Sequence, residues 1–283
     1  MADVITGDTQ LGASKNDLIL SVVQKELQFK AKLASYVSDV SVFARPGNQS
    51  ISFPKLTSFT VVNRASGVAG DASALTATVD KMDLDFNAYV SWIIDSLDET
   101  QTSIDAQLEF AKRAAGAQGR YVDTQLIGEA EAAGFAITTI AALMTRDVVL
   151  EMRKKLILSD GDLDKASYWV GPDQEEALLK IDEFTRADAY GSSNIPSGVL
   201  GKLFGVPVVV HNGIAASQYF LVEADGLALG FQKAPAMGEQ DEIAYGVGAK
   251  RKAIDQLFGV QALQLGEKGA GATVSALIIK DNN

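Results

Sequence analysis

The chain has 283 residues, enough for one large or two modest cores. Hydrophobic residues make up 47% and charged residues 22%, as in an ordinary globular protein. With 25 basic and 36 acidic side chains the net charge is −11, which argues against a protein whose work is gripping nucleic acid, and the lack of cysteine excludes disulfides, thiolate metal sites and a cysteine nucleophile.

Residues 1–15 are small and polar and read as a loose arm; they show no secretory signal. From Asn16, apolar residues recur at helical spacing through Ile19, Val22, Val23, Leu27, Ala31, Ala34 and Val37. Pro46-Gly47 marks a turn. Ser50 to Val62 then reads as a strand, and Pro54 within it predicts an edge or a projecting arm. After a turn-rich loop at 63–73, Ala74 to Ile94 returns as one long alternating strand. Leu84, Phe86, Ala88 and Val90 lie on one face, and Asp83, Asp85, Asn87 and Tyr89 on the other. The two arms predict a long hairpin that rests on something else.

Asp98 to Ala133 carries the longest helical pattern, with an alanine-rich stripe and three glycines, Gly116, Gly119 and Gly128, that predict weakening or kinks. Thr138 to Ile157 reads as a second amphipathic helix. A short strand and turn follow at "SYWVGP", then a helix from Asp173 to Ile181 with an acidic first turn. Gln218 to Gln232 reads as strand, turn, strand, and Asp241 to Gly266 as long strands. No stretch approaches 18 uninterrupted apolar residues.

Motifs for chemistry fail one by one. "GVLGKLFGVPVVVHNGI" (Gly198 to Ile214) sets Lys202 after Gly201, but a phosphate loop needs Gly at 196 and Ser or Thr at 203, where Pro196 and Leu203 stand. The only histidine, His211, has no serine elbow and no evident zinc partners, so a strand-end histidine with a structural hydrogen bond is expected. The carboxylates from Asp83 lack the glycine and glutamate of a calcium loop. Those at Asp160, Asp162 and Asp164 fail in the same way, leaving a weak divalent-ion site there as the remaining metal reading. No catalytic residues, cofactor or metal site are expected.

The order of elements resembles the major capsid proteins of tailed bacteriophages, with the Hong Kong 97-type shell fold. Three phrases carry the resemblance: "GVLGKLFGVPVVVHNGI", "YWVGPDQEEALLKIDEF" (Tyr168 to Phe184) and "AKRKAIDQLFGVQAL" (Ala249 to Leu263). It implies an α+β fold divided into an N-terminal arm (1–45), an E-loop hairpin (46–82) and a peripheral domain with a long spine helix (83–137). An axial α/β domain (138–235) follows, then a return to the peripheral domain with a C-terminal tail (236–283). It implies a structural protein, not an enzyme, that self-assembles into hexamers and pentamers of an icosahedral shell around double-stranded DNA, without sequence-specific DNA binding and without a membrane. Implied partners are further copies of itself, a scaffolding protein, a portal and, optionally, decoration proteins. The place is the virion capsid, assembled in the bacterial host cytoplasm. The E-loop strand starts near residue 50, which leaves no room for a built-in scaffolding segment, so a separate scaffolding protein is expected. Arg64 and Asp71, flanking the hairpin tip, are the candidate contacts between subunits. Lys55 and Lys81 lie in the region, but no complete lysine–asparagine set for a cross-link is matched. An encapsulin-like nanocompartment shell enclosing cargo enzymes is the alternative, and a carboxylate-metal enzyme the distant one.

Overall fold

The computed structural model describes residues 31–56, 63, 66, 77–94, 104–139, 143–181, 201–245, 249–263, 265–268, 273–275 and 277–281. Two sheets organise them. The first has four strands in the order β1-β10-β11-β4: Ser38–Asp39 (β1), Leu227–Asp241 (β10), Lys250–Ala262 (β11) and Phe86–Ile94 (β4). The long antiparallel β10–β11 pair is its spine, and β4 pairs along β11 from Phe258↔Phe86 to Lys250↔Ile94.

Helix α1 (Ile104–Ala133) lies against this sheet. Its 30 residues span about 45 Å at 1.5 Å per residue. The small stripe is what allows close approach. Ala111, Ala114 and Ala115 are buried against Ile254, Val90, Trp92 and Met237. Gly116 and Gly119 are buried too, and the helix continues through all three glycines. Buried Gln118 fastens the contact, donating from Nε2 to the carbonyls of Ile254 (2.9 Å) and Ala88 (3.3 Å).

The expected single strand over 74–94 is two strands. Ala77–Asp83 (β3) pairs with Ser50–Leu56 (β2) as a two-stranded hairpin, whereas β4 belongs to the four-stranded sheet. The chain changes sheets at Leu84-Asp85, with the Leu84 side chain buried and its N–H given to the carbonyl of Gln49 (3.0 Å). The alternation survives the break because both strands keep one face covered: Leu84 and Ala88 are buried, and Asp83, Asp85 and Asn87 exposed. The turn at Pro46-Gly47 forms as expected. Gly47 has φ +93°, and Asn48 N–H closes onto Arg45 C=O at 3.1 Å.

The hairpin base crosses the sheet where two glycines face each other, Gly230 on β10 and Gly259 on β11. A Cβ on Gly259 would lie 2.3 Å from the Asp83 carbonyl oxygen, and one on Gly230 would lie 2.9 Å from the Met82 methyl. Val40, Ile51, Met82, Leu84 and Ala228 fill the junction.

The second sheet has six strands in the order β5-β14-β9-β6-β8-β7. They are Phe135–Ala136 (β5), Ala166–Val170 (β6), Lys202–Leu203 (β7), Val206–Val210 (β8), Tyr219–Glu223 (β9) and Ile278–Lys280 (β14). Every residue of β6 and β9 is buried, so these strands are mostly apolar without alternation, Ser167 and Glu223 being their buried polar residues. One face carries Tyr168, Val170, Tyr219 and Leu221 against helix α2 (Arg146–Leu158) and helix α3 (Pro172–Leu179). The other carries Trp169, Phe220 and Val222 into a core shared with Val122 and Leu126 of α1 and Phe258 and Val260 of β11. The last strand, β14, lies between β5 and β9. The short strands Leu265–Lys268 (β12) and Thr273–Ser275 (β13) pair with each other.

Two expected helices differ from their patterns at the described residues. The pattern over 138–157 becomes a helix only from Arg146, because Thr145 caps it and Glu151 takes the upstream amides. Glu151 accepts from Thr138 N–H (2.7 Å) and Thr139 N–H (3.1 Å). The helical pattern that reached Val37 ends in a 3-10 turn at Leu33–Tyr36, because a carboxylate takes its first amides, as set out below. The remainder of that pattern, 16–30, lies outside the described residues.

Two predictions follow from packing and charge. Gly259→Ala forces a methyl onto a backbone carbonyl and lowers unfolding stability by roughly 1–3 kcal/mol. Gly230→Ala meets side chains rather than backbone, the flexible Met82 end at 2.9 Å and Val40 Cγ2 at 3.2 Å, and costs less; denaturant midpoints of the two variants check the order. Hydrogen bonds, chiefly from Thr139 with help from Thr138, hold Glu151 down from its ordinary 4.5 to about 2. A lowered carboxylate stabilises the folded state above its ordinary value and loses that contribution as pH falls through the folded one. Exchange protection at the Thr138 and Thr139 amides is therefore full above pH 4.5, fades toward about 2, and is weak at all pH in Glu151→Gln.

Candidate functional site: a buried joint and the surfaces around it

A carboxylate with several partners, that of Asp123, is fully buried in the middle of α1. Its Oδ1 accepts from Leu33 N–H at 3.1 Å and its Oδ2 from Lys32 N–H at 3.0 Å. Oδ2 also meets His211 Nε2 at 3.1 Å. His211 Nδ1 accepts from Gly213 N–H at 3.0 Å, so the ring proton sits on Nε2 and is donated to Asp123. His211 N–H donates to Val170 C=O at 2.9 Å, continuing the β6–β8 ladder. The expectation of a strand-end histidine in a structural hydrogen bond is met. Its partner is on a different element, and it ties together α1, the six-stranded sheet and the incoming segment at 32–33.

The Gly201-Lys202 pair leads into a small hairpin, not a phosphate loop. Leu203 pairs with Val206 across a two-residue turn, Phe204-Gly205, with φ +49° and +89°. Positive φ at both central residues is the twist-matching turn of tight hairpins. Gly205 supplies the freedom the turn requires; Gly201 lies outside the turn, where a Cβ would meet nothing within 4 Å. The Phe204 carbonyl accepts from the Arg153 guanidinium, which holds the turn to α2.

Asp160, Asp162 and Asp164 lie in the loop after α2, at 159–165. Asp162 spends one oxygen on Asp164 N–H at 3.0 Å. Among the described residues no three carboxylates or imidazoles are grouped to hold a metal ion. Arg64 and Asp71 lie outside the described residues. Among the described residues no helix is long and apolar enough to cross a membrane.

The surface carries what sequence reasoning did not single out: large apolar side chains at well-separated places. Leu143, Leu150 and Ile157 recur every seven residues along α2 and its approach, joined by Leu158 at 69% exposure. Ile243, at 81%, and Tyr245 stand near the far end of the β10–β11 hairpin. Val42 and Phe43 protrude just before the β2–β3 hairpin, and Phe110 and Tyr121 protrude from α1. They belong to several separate elements of the subunit, each offering exposed apolar contact surface.

Asp123→Ala leaves two backbone amides and the His211 Nε2–H without their acceptor. It lowers unfolding stability by roughly 2–5 kcal/mol, and more than His211→Ala, which frees only one end of the network; denaturant unfolding of both variants tests this.

Comparison with known proteins agrees with this architecture. A family profile described as phage capsid protein matches residues 21–272. The fold is similar to a chain of Mycobacterium phage Che8, with a TM-score of 0.70 and 16% identity, covering 88% of this chain and 90% of that one. It is similar to the mature capsid of bacteriophage PhiM1, with a TM-score of 0.65 and 15% identity, covering 87% and 85%. It is also similar to a virus-like particle from Pyrococcus furiosus, with a TM-score of 0.60 and 9% identity, covering 93% and 96%. A search of curated proteins by sequence finds no match. With most of its length matched by that profile and the Hong Kong 97-type fold around it, this chain belongs to the phage capsid protein family, whose members are structural shell proteins and not enzymes.

Proposed function

We propose that copies of this chain assemble as hexamers and pentamers into an icosahedral shell that encloses a double-stranded DNA genome. The observation that carries this reading is the combination of a capsid-family fold with exposed apolar side chains on several separate elements of one subunit. A closed shell needs each subunit to meet several neighbours at once, and only contacts on different faces allow that. The net charge of −11 suits a container that encloses a polyanion without gripping it.

Within this reading residues 1–45 form the arm, 46–82 the E-loop, 83–137 the peripheral domain, 138–235 the axial domain and 236–283 the return. The β2–β3 hairpin is the root of the E-loop and α1 the spine helix. Arg64 and Asp71, the candidates from the sequence, contact a neighbouring subunit in this proposal. A scaffolding protein and a portal take part in assembly in the host cytoplasm.

Electron microscopy of particles made by co-expression with the scaffold tests the proposal. Closed shells or capsomer rings are expected, and the nature of their contents separates a genome container from a cargo compartment. A subunit that stays monomeric under all assembly conditions overturns it. The double variant Ile157→Asp, Leu158→Asp changes exposed positions, so subunit stability shifts by no more than about 0.5 kcal/mol per site. Its shell yield is expected to fall at least tenfold, roughly the effect of losing 1.4 kcal/mol at a single contact repeated through the lattice.

A further inference from the structure

The turn after β8 holds the chain's one Asn-Gly pair, Asn212-Gly213, directly after its one histidine. An asparagine followed by glycine is chemically vulnerable. The glycine's backbone nitrogen can attack the asparagine side-chain carbonyl carbon, and glycine, lacking a Cβ, hinders that attack least. The step needs a base to take the amide proton. Here that proton already points at one: Gly213 N–H donates to His211 Nδ1 at 3.0 Å, within the reach required of a general base.

The other side of the ring is held as well. His211 Nε2 donates to the fully buried Asp123 carboxylate at 3.1 Å, which fixes the ring's orientation and makes Nδ1 the better acceptor. Carboxylate, imidazole and nucleophile stand in the order used by hydrolytic triads, with a backbone nitrogen in the place of the hydroxyl. A Cβ on Gly213 would lie 2.9 Å from the imidazole Cε1 and 3.0 Å from Nδ1, so the ring edge sits on the glycine itself. Both Asn212 and Gly213 are exposed, and water reaches the pair.

We propose that Asn212 is a self-modification site, deamidated by the folded chain with His211 as general base. The Gly213 nitrogen forms a bond to Asn212 Cγ while its proton passes to His211 Nδ1. The tetrahedral adduct then breaks its bond to Nδ2, and the proton on Nδ1 goes to that leaving nitrogen. Ammonia departs and a succinimide remains. One water opens the succinimide at either carbonyl, leaving aspartate or isoaspartate at 212. Overall one water is consumed and one ammonia released, with no oxidation or reduction. The product adds a negative charge to the turn and, in the isoaspartate form, a methylene to its backbone, next to the network that joins α1 to the six-stranded sheet.

Peptide mass mapping of the full-length protein after incubation at neutral pH tests this, with Asn48 and Asn87 as internal references. Asn212 in the folded protein is expected to deamidate at least about tenfold faster than in the same protein unfolded in urea, a conservative figure for a positioned general base. Folded His211→Gln, verified by circular dichroism, is expected to lose that advantage and fall to the urea rate. A folded wild-type rate equal to or below the urea rate overturns the proposal without recourse to any variant. A folded His211→Gln that deamidates as fast as wild type overturns it too.

Discussion

Asp123 is the group on which the arrangement of the chain depends. A buried carboxylate is costly unless its lone pairs are occupied, and here three donors from two distant parts of the chain occupy them. That requirement sets geometry. The segment at 32–33 has to enter where its amides reach α1, and β8 has to end where His211 reaches the same carboxylate. The apolar core around it is continuous between the two sheets, with Trp169 and Phe220 on one side and Val122, Leu126 and Phe258 on the other. Polar network and apolar core therefore hold the same junction, one by direction and the other by burial.

Elsewhere the structure relies on the absence of side chains. The alanine and glycine stripe of α1 lets a helix lie flat on a sheet, and Gly259 lets the β2–β3 hairpin cross β11 against the Asp83 carbonyl. Both devices spend packing volume to bring backbones close. They leave the hairpin and the helix anchored at one end and face, while Val42, Phe43, Phe110, Leu158 and Ile243 remain exposed on the single subunit. In a family of shell proteins that division has a direct sense: the core holds the subunit, and the uncovered apolar side chains are available to neighbours.

Several elements were legible because local signals and tertiary context agree. β6 and α3 follow from an apolar run, then Pro172 at the helix start and an acidic first turn. α1 follows from its sustained period, and the strand–turn–strand over 218–232 from its apolar blocks around Asp225-Gly226, although the second strand runs on to Asp241. The misreadings share one cause. Leu84-Asp85 continues a perfect alternation, yet the chain changes sheets there, because alternation reports which face is covered and not which strand is the neighbour. Leu33–Tyr36 continues a helical period but forms a 3-10 turn, because the acceptor for its amides is Asp123, about 90 residues away.

By itself, the sequence determined the class of protein: the order of elements, the apolar faces, the absence of nucleophile and phosphate-loop chemistry, and the charge. The chemistry excluded there is that of a cysteine nucleophile, a serine elbow and a phosphate loop; all of these are properties of composition and short-range period, which act within one element. Only the tertiary structure decided what His211 does. Read alone it was a histidine without a partner; folded, it stands between a buried aspartate and the amide of an Asn-Gly pair. The physical reason is that a hydrogen bond acts over about 3 Å of space, and no spacing along the chain reveals which distant groups folding will bring that close.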